Sequence, residues 1–198
     1  MSKRAIPMLP IVILVVMACN LVTNTGSEQE EPITPSVNTP SSVTESPAAL
    51  SGETFTDTRV GFTFTYPEGW TLIAPQNIED AVSYSYTMQS FEPPAAGSEG
   101  FPEGESKIDI HVNPTDTTSL ENIRARLGED EANNDVTIHD EQRVTLGGGL
   151  AALVIQATGF QGGSFTGIYT VINGHEVALI GLGEDEYVWQ VANSLRAS

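Results

Sequence analysis

Apolar and polar residues alternate with a period of two through most of the chain from residue 60 onward. Val60, Phe62, Phe64 and Tyr66 fall on one side of the first such segment, with Thr63 and Thr65 on the other. A strand projects successive side chains to opposite faces, so this pattern predicts a half-buried strand over 60–66. The same period aligns Tyr84, Tyr86 and Met88 within a strand at 82–91, and Ile108, Ile110 and Val112 within 107–112. Further strands are predicted at 70–73, 136–146, 150–158, 165–172 and 176–182. The breaks between them carry turn chemistry: Pro67-Glu68-Gly69, Gly147-Gly148-Gly149 and Asn173-Gly174. The Asn-Gly pair tolerates positive φ in a type I′ turn and predicts a tight hairpin.

Two segments change to helical spacing. Leu120, Ile123 and Leu127 predict a helix over 119–127, capped by Asp116, Thr117 or Thr118 and stopped by Gly128. Val188, Val191, Ala192 and Leu195 predict a closing helix from Glu184 to about Arg196, whose charge suits the negative end of the helix dipole.

The first residues follow a different rule. Lys3 and Arg4 precede an apolar run from Ala5 to Met17, and Ala18 supplies a small residue before Cys19. A positive start, a short apolar stretch and a small residue at the cut are the parts of an export signal. The run is short of the roughly 20 residues a helix needs to span a bilayer. Val16-Met17-Ala18-Cys19 resembles the lipobox of bacterial lipoproteins, although Met17 is not the most typical occupant of its position. That resemblance implies diacylglycerol on the sulfur of Cys19 and cleavage just before it, so 1–18 is expected to be a signal peptide. The alternatives are an uncleaved anchor extended by Leu21 and Val22, and an ordinary cleaved signal that leaves a free thiol.

Residues 19–52 are expected to form a lipid-anchored tether. They are crowded with Ser, Thr, Pro and Glu and contain no aromatic residue. Such composition buries too little surface to offset its ordering entropy, which predicts disorder with an r.m.s. reach of about 30 Å. Residues 53–198 then form one domain.

Charge narrows the partners. The chain carries 26 acidic against 8 basic side chains, a formal charge of −18, and two of the bases are Lys3 and Arg4. Phosphate binding needs a basic patch, so nucleic acid is excluded as a partner. Anionic lipid would repel the domain, which leaves the acyl group on Cys19 to hold the membrane. The expected location is the cell membrane, lipid-anchored and facing the extracytoplasmic side, with another envelope protein as a further partner. Cys19 is the sole cysteine, so the domain has neither disulfide nor thiolate metal site.

The stretch Gly61-Phe62-Thr63-Phe64-Thr65-Tyr66-Pro67-Glu68-Gly69-Trp70, with the late hairpin and a terminal helix ending Asn193-Ser194-Leu195-Arg196, resembles PsbP-like and Mog1-like domains. The resemblance spans roughly 55–198, with motif-like residues at its two ends. It implies an α+β fold, an antiparallel sheet flanked by helices in an α/β/α sandwich, with Tyr66 and Trp70 filling the core beside the turn. It hands over no single function: members serve the water-oxidising photosystem, bind a nuclear GTPase, or are bacterial lipoproteins without an assigned role.

Catalytic signatures are sparse. His111, His139 and His175 lie in or beside predicted strands without metalloprotease spacing, and His139-Asp140 should point to opposite faces. Gly181-Leu182-Gly183 follows a strand and opens a helix, but Glu184, Asp185 and Glu186 fill the first turn and would repel a phosphate. The run 129–135 is rich in carboxylates and reads as a solvated connector after Gly128, with Ca²⁺ as its functional alternative. Phe101 is the loop aromatic placed to contact a partner. No cofactor and no catalytic or metal residue is expected. A non-catalytic binding or assembly module is the leading reading; a small-ligand or ion sensor, or a hydrolase with a spatially assembled site, is the alternative.

Overall fold

A computed structural model describes residues 50–92, 102–159 and 162–198. The signal segment, Cys19, the tether up to residue 49 and Phe101 lie outside the described residues. The elements are β1 (Gly52–Asp57), β2 (Phe62–Pro67), β3 (Thr71–Ile73), β4 (Tyr84–Gln89), β5 (Lys107–Asn113), α1 (Leu120–Ala132), β6 (Val136–Thr145), β7 (Ala151–Gly159), β8 (Ser164–Ile172), β9 (His175–Leu182), α2 (Asp185–Ser194) and β10 (Arg196–Ala197). Among the described residues no helix is long and apolar enough to cross a membrane.

β3 to β9 build a seven-stranded sheet in the order β3-β4-β5-β9-β8-β7-β6, antiparallel at every junction. α1 carries the chain across one face, from β5 in the middle to β6 at the edge, and a meander through β7, β8 and β9 returns to β5. β1, β2 and β10 form a smaller sheet. The fold is α+β, an antiparallel sheet with a helix on each face.

Each face has its own core. On one, Ile123 and Leu127 of α1 pack on Leu153, Ile155, Ala157, Tyr169 and Ala178. On the other, Val188, Val191 and Ala192 of α2 and Phe62 and Phe64 of β2 pack on Tyr86, Met88, Ile110, Ile168 and Leu179. The alternation predicted for β2, β4 and β5 is observed, with every inward residue buried except Tyr66, which is half-buried. In β7 the consecutive residues Ala152 to Ile155 are all buried, as a strand covered on both faces requires. The Asn173-Gly174 turn has the predicted positive φ at both positions, 51° and 87°. Asn173 also donates to the carbonyl oxygens of Val60 and Gly61, tying this hairpin to the β1–β2 turn.

The ends of several elements differ from expectation. α1 is capped by Ser119, whose hydroxyl accepts from Asn122 N–H at 3.2 Å, and not by residues 116–118. The helix passes through Gly128 to Ala132, so Glu129, Asp130 and Glu131 belong to its last turn and not to a connector. Glycine in a helix costs only about 1 kcal/mol against alanine, which the burial of Ile123 and Leu127 outweighs. Asn134, at φ 62°, takes the left-handed position expected of Gly128. α2 ends at Ser194, and Arg196 pairs with Thr63 in β10. Its Nη1 still donates to the carbonyls of Asn193 and Leu195, at 2.7 and 2.6 Å, so it serves the helix end from outside the helix. β1 was not foreseen, and Gly52, assigned to the tether, is its first residue.

Tyr66 and Trp70 pack against the edge of the core and do not fill its centre. Both are half-buried; Tyr66 donates to Glu53 at 2.7 Å, and Trp70 packs its ring 5.0 Å from that of Tyr187. The closing Asn193-Ser194 has a locking role. Thr65 N–H donates to Ser194 Oγ, and Gly147 N–H to Asn193 Oδ1, both at 2.8 Å.

Candidate functional site

α1 packs against β6, β7 and β8, and among the described residues neither helix packs over its side of β4 and β5 to a comparable extent. The inward residues of β5 are Ile108, Ile110 and Val112, so Lys107, Asp109, His111 and Asn113 necessarily face this side. Cross-strand pairing then places polar partners opposite them: Ser85 faces His111, and Thr87 faces Asp109. Ser85 Oγ lies 2.6 Å from His111 Nδ1, Thr87 donates to Asp109 at 2.5 Å, and Lys107 donates to Asp109 at 2.8 Å.

Where this polar stripe meets the flank of α1 there is a cleft of about 250 Å³. His111 and Asn113 form its floor, Ser83 and Ser85 one wall, and Arg126 with Glu176 the other. Arg126 Nη2 donates to Glu176 Oε1 at 2.5 Å, and its Nη1 stands 3.6 Å from Asp130. Glu176 reaches this wall because it is the residue of β9 opposite Asn113.

Glu176 is drier than Arg126 beside it or His111 on the floor. Burial raises the Glu176 carboxyl above its ordinary range, and this outweighs the opposing pull of Arg126 and His111. Burial likewise pushes the nearby Tyr169 hydroxyl up to about 12, against the influence of Arg126 and with that of Glu176 and Asp130. An ion pair whose carboxylate is still destabilised as a charge is held there by packing.

Beneath the cleft, on the opposite face of the sheet, lies a buried carboxylate that sequence reading did not single out. Asp57 is 1% exposed. It accepts from the hydroxyls of Tyr84 and Tyr86 at 2.6 and 2.9 Å, and from the backbone N–H groups of Arg59 and Val60 at 2.9 and 2.8 Å. Burial first, then the bond to Asp57, holds both tyrosine hydroxyls protonated far above the usual range. Arg59 covers the Tyr84 ring at 5.6 Å. The node clamps the β1–β2 turn to β4, the strand that forms one wall of the cleft.

The other sequence candidates stay apart. His139 occupies a bulge between Ile138 and Asp140, which removes the expected opposition to Asp140. Its Nε2 lies 2.8 Å from Thr158 Oγ1, on the face where Asp140 pairs with Gln156. His175 lies at the start of β9, with a buried Nδ1 that has no partner among the described residues. Gly181-Leu182-Gly183 has a packing role: a Cβ on Gly181 would sit 2.7 Å from Val188 Cβ, so the glycine lets α2 approach the sheet. Among the described residues no group of three or more His, Cys, Asp or Glu side chains could hold a metal ion.

The chain matches no family model and no curated protein. Among solved structures it is similar to the solution structure of cyanobacterial PsbP (CyanoP) from Synechocystis sp. PCC 6803. The two share 14% identity over 74% of this chain and 92% of that chain, with a TM-score of 0.46. Likeness at that level assigns neither membership nor activity.

Proposed function

We propose that the chain is an extracytoplasmic lipoprotein, anchored in the cell membrane by lipid on Cys19, whose domain is a non-catalytic binding or assembly module. The observation that carries the module reading is the pairing within the cleft. Among the described residues the serine–histidine contact there uses His111 Nδ1, the ring nitrogen that a catalytic carboxylate would orient, and the carboxylate that lines the cleft, Glu176, is committed to Arg126. What remains is a rigid, polar, open surface suited to recognition.

The anchor rests on the sequence alone: Lys3 and Arg4, the apolar run, and Ala18 before Cys19. Crosslinking in the native membrane followed by pull-down of the lipidated protein tests the reading. A protein partner recovered at fixed stoichiometry supports it. Recovery of the chain alone under several crosslinkers overturns it.

A further inference from the structure

Glu176 is the charged group of the cleft least provided for. Its side chain is only 16% exposed, against 46% for Arg126, and it receives a single side-chain hydrogen bond among the described residues, at Oε1. A carboxylate removed from water normally gathers several donors, because each lone pair left without one costs desolvation energy. The rise in its pKa points the same way, since one guanidinium bond does not offset burial.

His111 completes the chemistry. Ser85 occupies Nδ1, and Nε2 has no partner among the described residues. With Nδ1–H donating to Ser85 Oγ, Nε2 carries a lone pair, and the ring lines the same cavity as Glu176. Two acceptors, the Glu176 carboxylate and the His111 ring nitrogen, thus border one small cavity that Arg126 also lines, with the Ser83 hydroxyl and the Asn113 amide beside them. The formal charge of −18 on the whole chain favours a cation over an anion as ligand.

We propose that the cleft between α1 and the β4–β5 face binds an alkylammonium group, which donates N–H bonds to Glu176 and to His111 Nε2. The group comes from a free small amine or from a lysine side chain of the partner. This deepens the binding-module reading and rests on it. A tertiary or quaternary ammonium lacks the donors for both acceptors and is discriminated against.

Isothermal titration calorimetry of the full chain in detergent micelles tests this with ethanolamine, putrescine, an N-acetyl-lysine methylamide, choline and acetate. Saturable one-to-one binding is expected for a primary amine, with choline weaker by about tenfold or more and acetate silent. Binding of the capped lysine with ethanolamine silent assigns the cleft to a side chain; binding of ethanolamine assigns it to free amines. Glu176→Gln is expected to weaken binding about tenfold or more, and Glu141→Gln, which breaks a pair with Arg124 outside the cleft, to leave it unchanged. The comparison of ethanolamine with choline needs no variant and stands even where Glu176→Gln misfolds. Absence of saturable binding by every primary amine, equal binding of choline, or undiminished binding by folded Glu176→Gln overturns the proposal. Amine silence with a captured protein partner overturns the cleft assignment alone, and amine binding without any partner overturns the assembly reading alone.

Discussion

Replacing Asp57 tests whether the fold is held by its buried polar node as well as by its apolar cores. The carboxylate accepts four hydrogen bonds, two from tyrosine hydroxyls and two from backbone N–H groups, while 1% exposed. Hydrogen bonds to a charged acceptor contribute about 1.5–3 kcal/mol each, but the four share one site and their losses do not add. Asp57→Ala leaves these donors facing a void, two of them on the largely buried side chains of Tyr84 and Tyr86. The expected destabilisation is about 3–5 kcal/mol, the range for removing one partner from a buried charged network. With a urea m-value of about 2 kcal/mol/M, the unfolding midpoint should fall by roughly 2 M. Asp57→Asn retains one acceptor oxygen and should lose about half as much. A double-mutant cycle with Tyr86→Phe should show coupling of about 1 kcal/mol or more, since the two groups touch. An unfolding free energy for Asp57→Ala within about 0.5 kcal/mol of wild type, a midpoint shift under about 0.25 M at unchanged m, would refute this reasoning.

Other consequences follow from the same geometry. The Tyr84 and Tyr86 hydroxyls ionise above their ordinary value of 10.0 in the folded state, so the stability they contribute is fully present below pH 10 and is lost as pH rises beyond it. Urea titrations between pH 9 and 12 should show that loss, with a shallower slope in Tyr86→Phe. Gly181→Ala forces a methyl group against Val188 and should cost about 1–3 kcal/mol by calorimetric or chemical unfolding. Arg126→Ala strips the mostly buried Glu176 of its cation; the Glu176 carboxyl should rise further, and stability should drop more near pH 8 than near pH 4, read by urea midpoints at both. Cys19→Ser should abolish membrane retention and leave an unlipidated N-terminus by intact mass, whereas retained lipidation would disprove attachment there.

The strands and their inward faces were legible because alternation is a local property. Phe62 and Phe64, Tyr86 and Met88, and Ile108 to Val112 each declare a face without reference to anything distant. β1 escaped notice because only Phe55 and Asp57 in it turn inward, and its pairing with β2 supplies the order that its own sequence lacks. Gly128 misled for a related reason: a helix-ending residue by propensity is overruled when the turns beside it bury Ile123 and Leu127 and an i,i+4 pair joins Arg126 to Asp130.

The cleft was scarcely legible. His111 was noted as a strand histidine, but Ser85, Arg126 and Glu176 come from β4, α1 and β9, and only the sheet order β4-β5-β9 brings them together. Asp57 illustrates the same limit. Tyr84 and Tyr86 read as an apolar stripe, and nothing local announces that both hydroxyls converge on a carboxylate 27 and 29 residues earlier. A faint signal existed in retrospect: a strand whose inward positions are tyrosines requires a buried polar partner for each hydroxyl.

Crosslinking mass spectrometry on the lipidated protein in its native membrane tests the binding-module reading most directly. A single protein partner at constant stoichiometry, linked to residues beside the cleft on β4, β5 or the Arg126 flank of α1, is the expected result. Recovery of the chain alone, or of a scatter of unrelated proteins with no preferred surface, would contradict it.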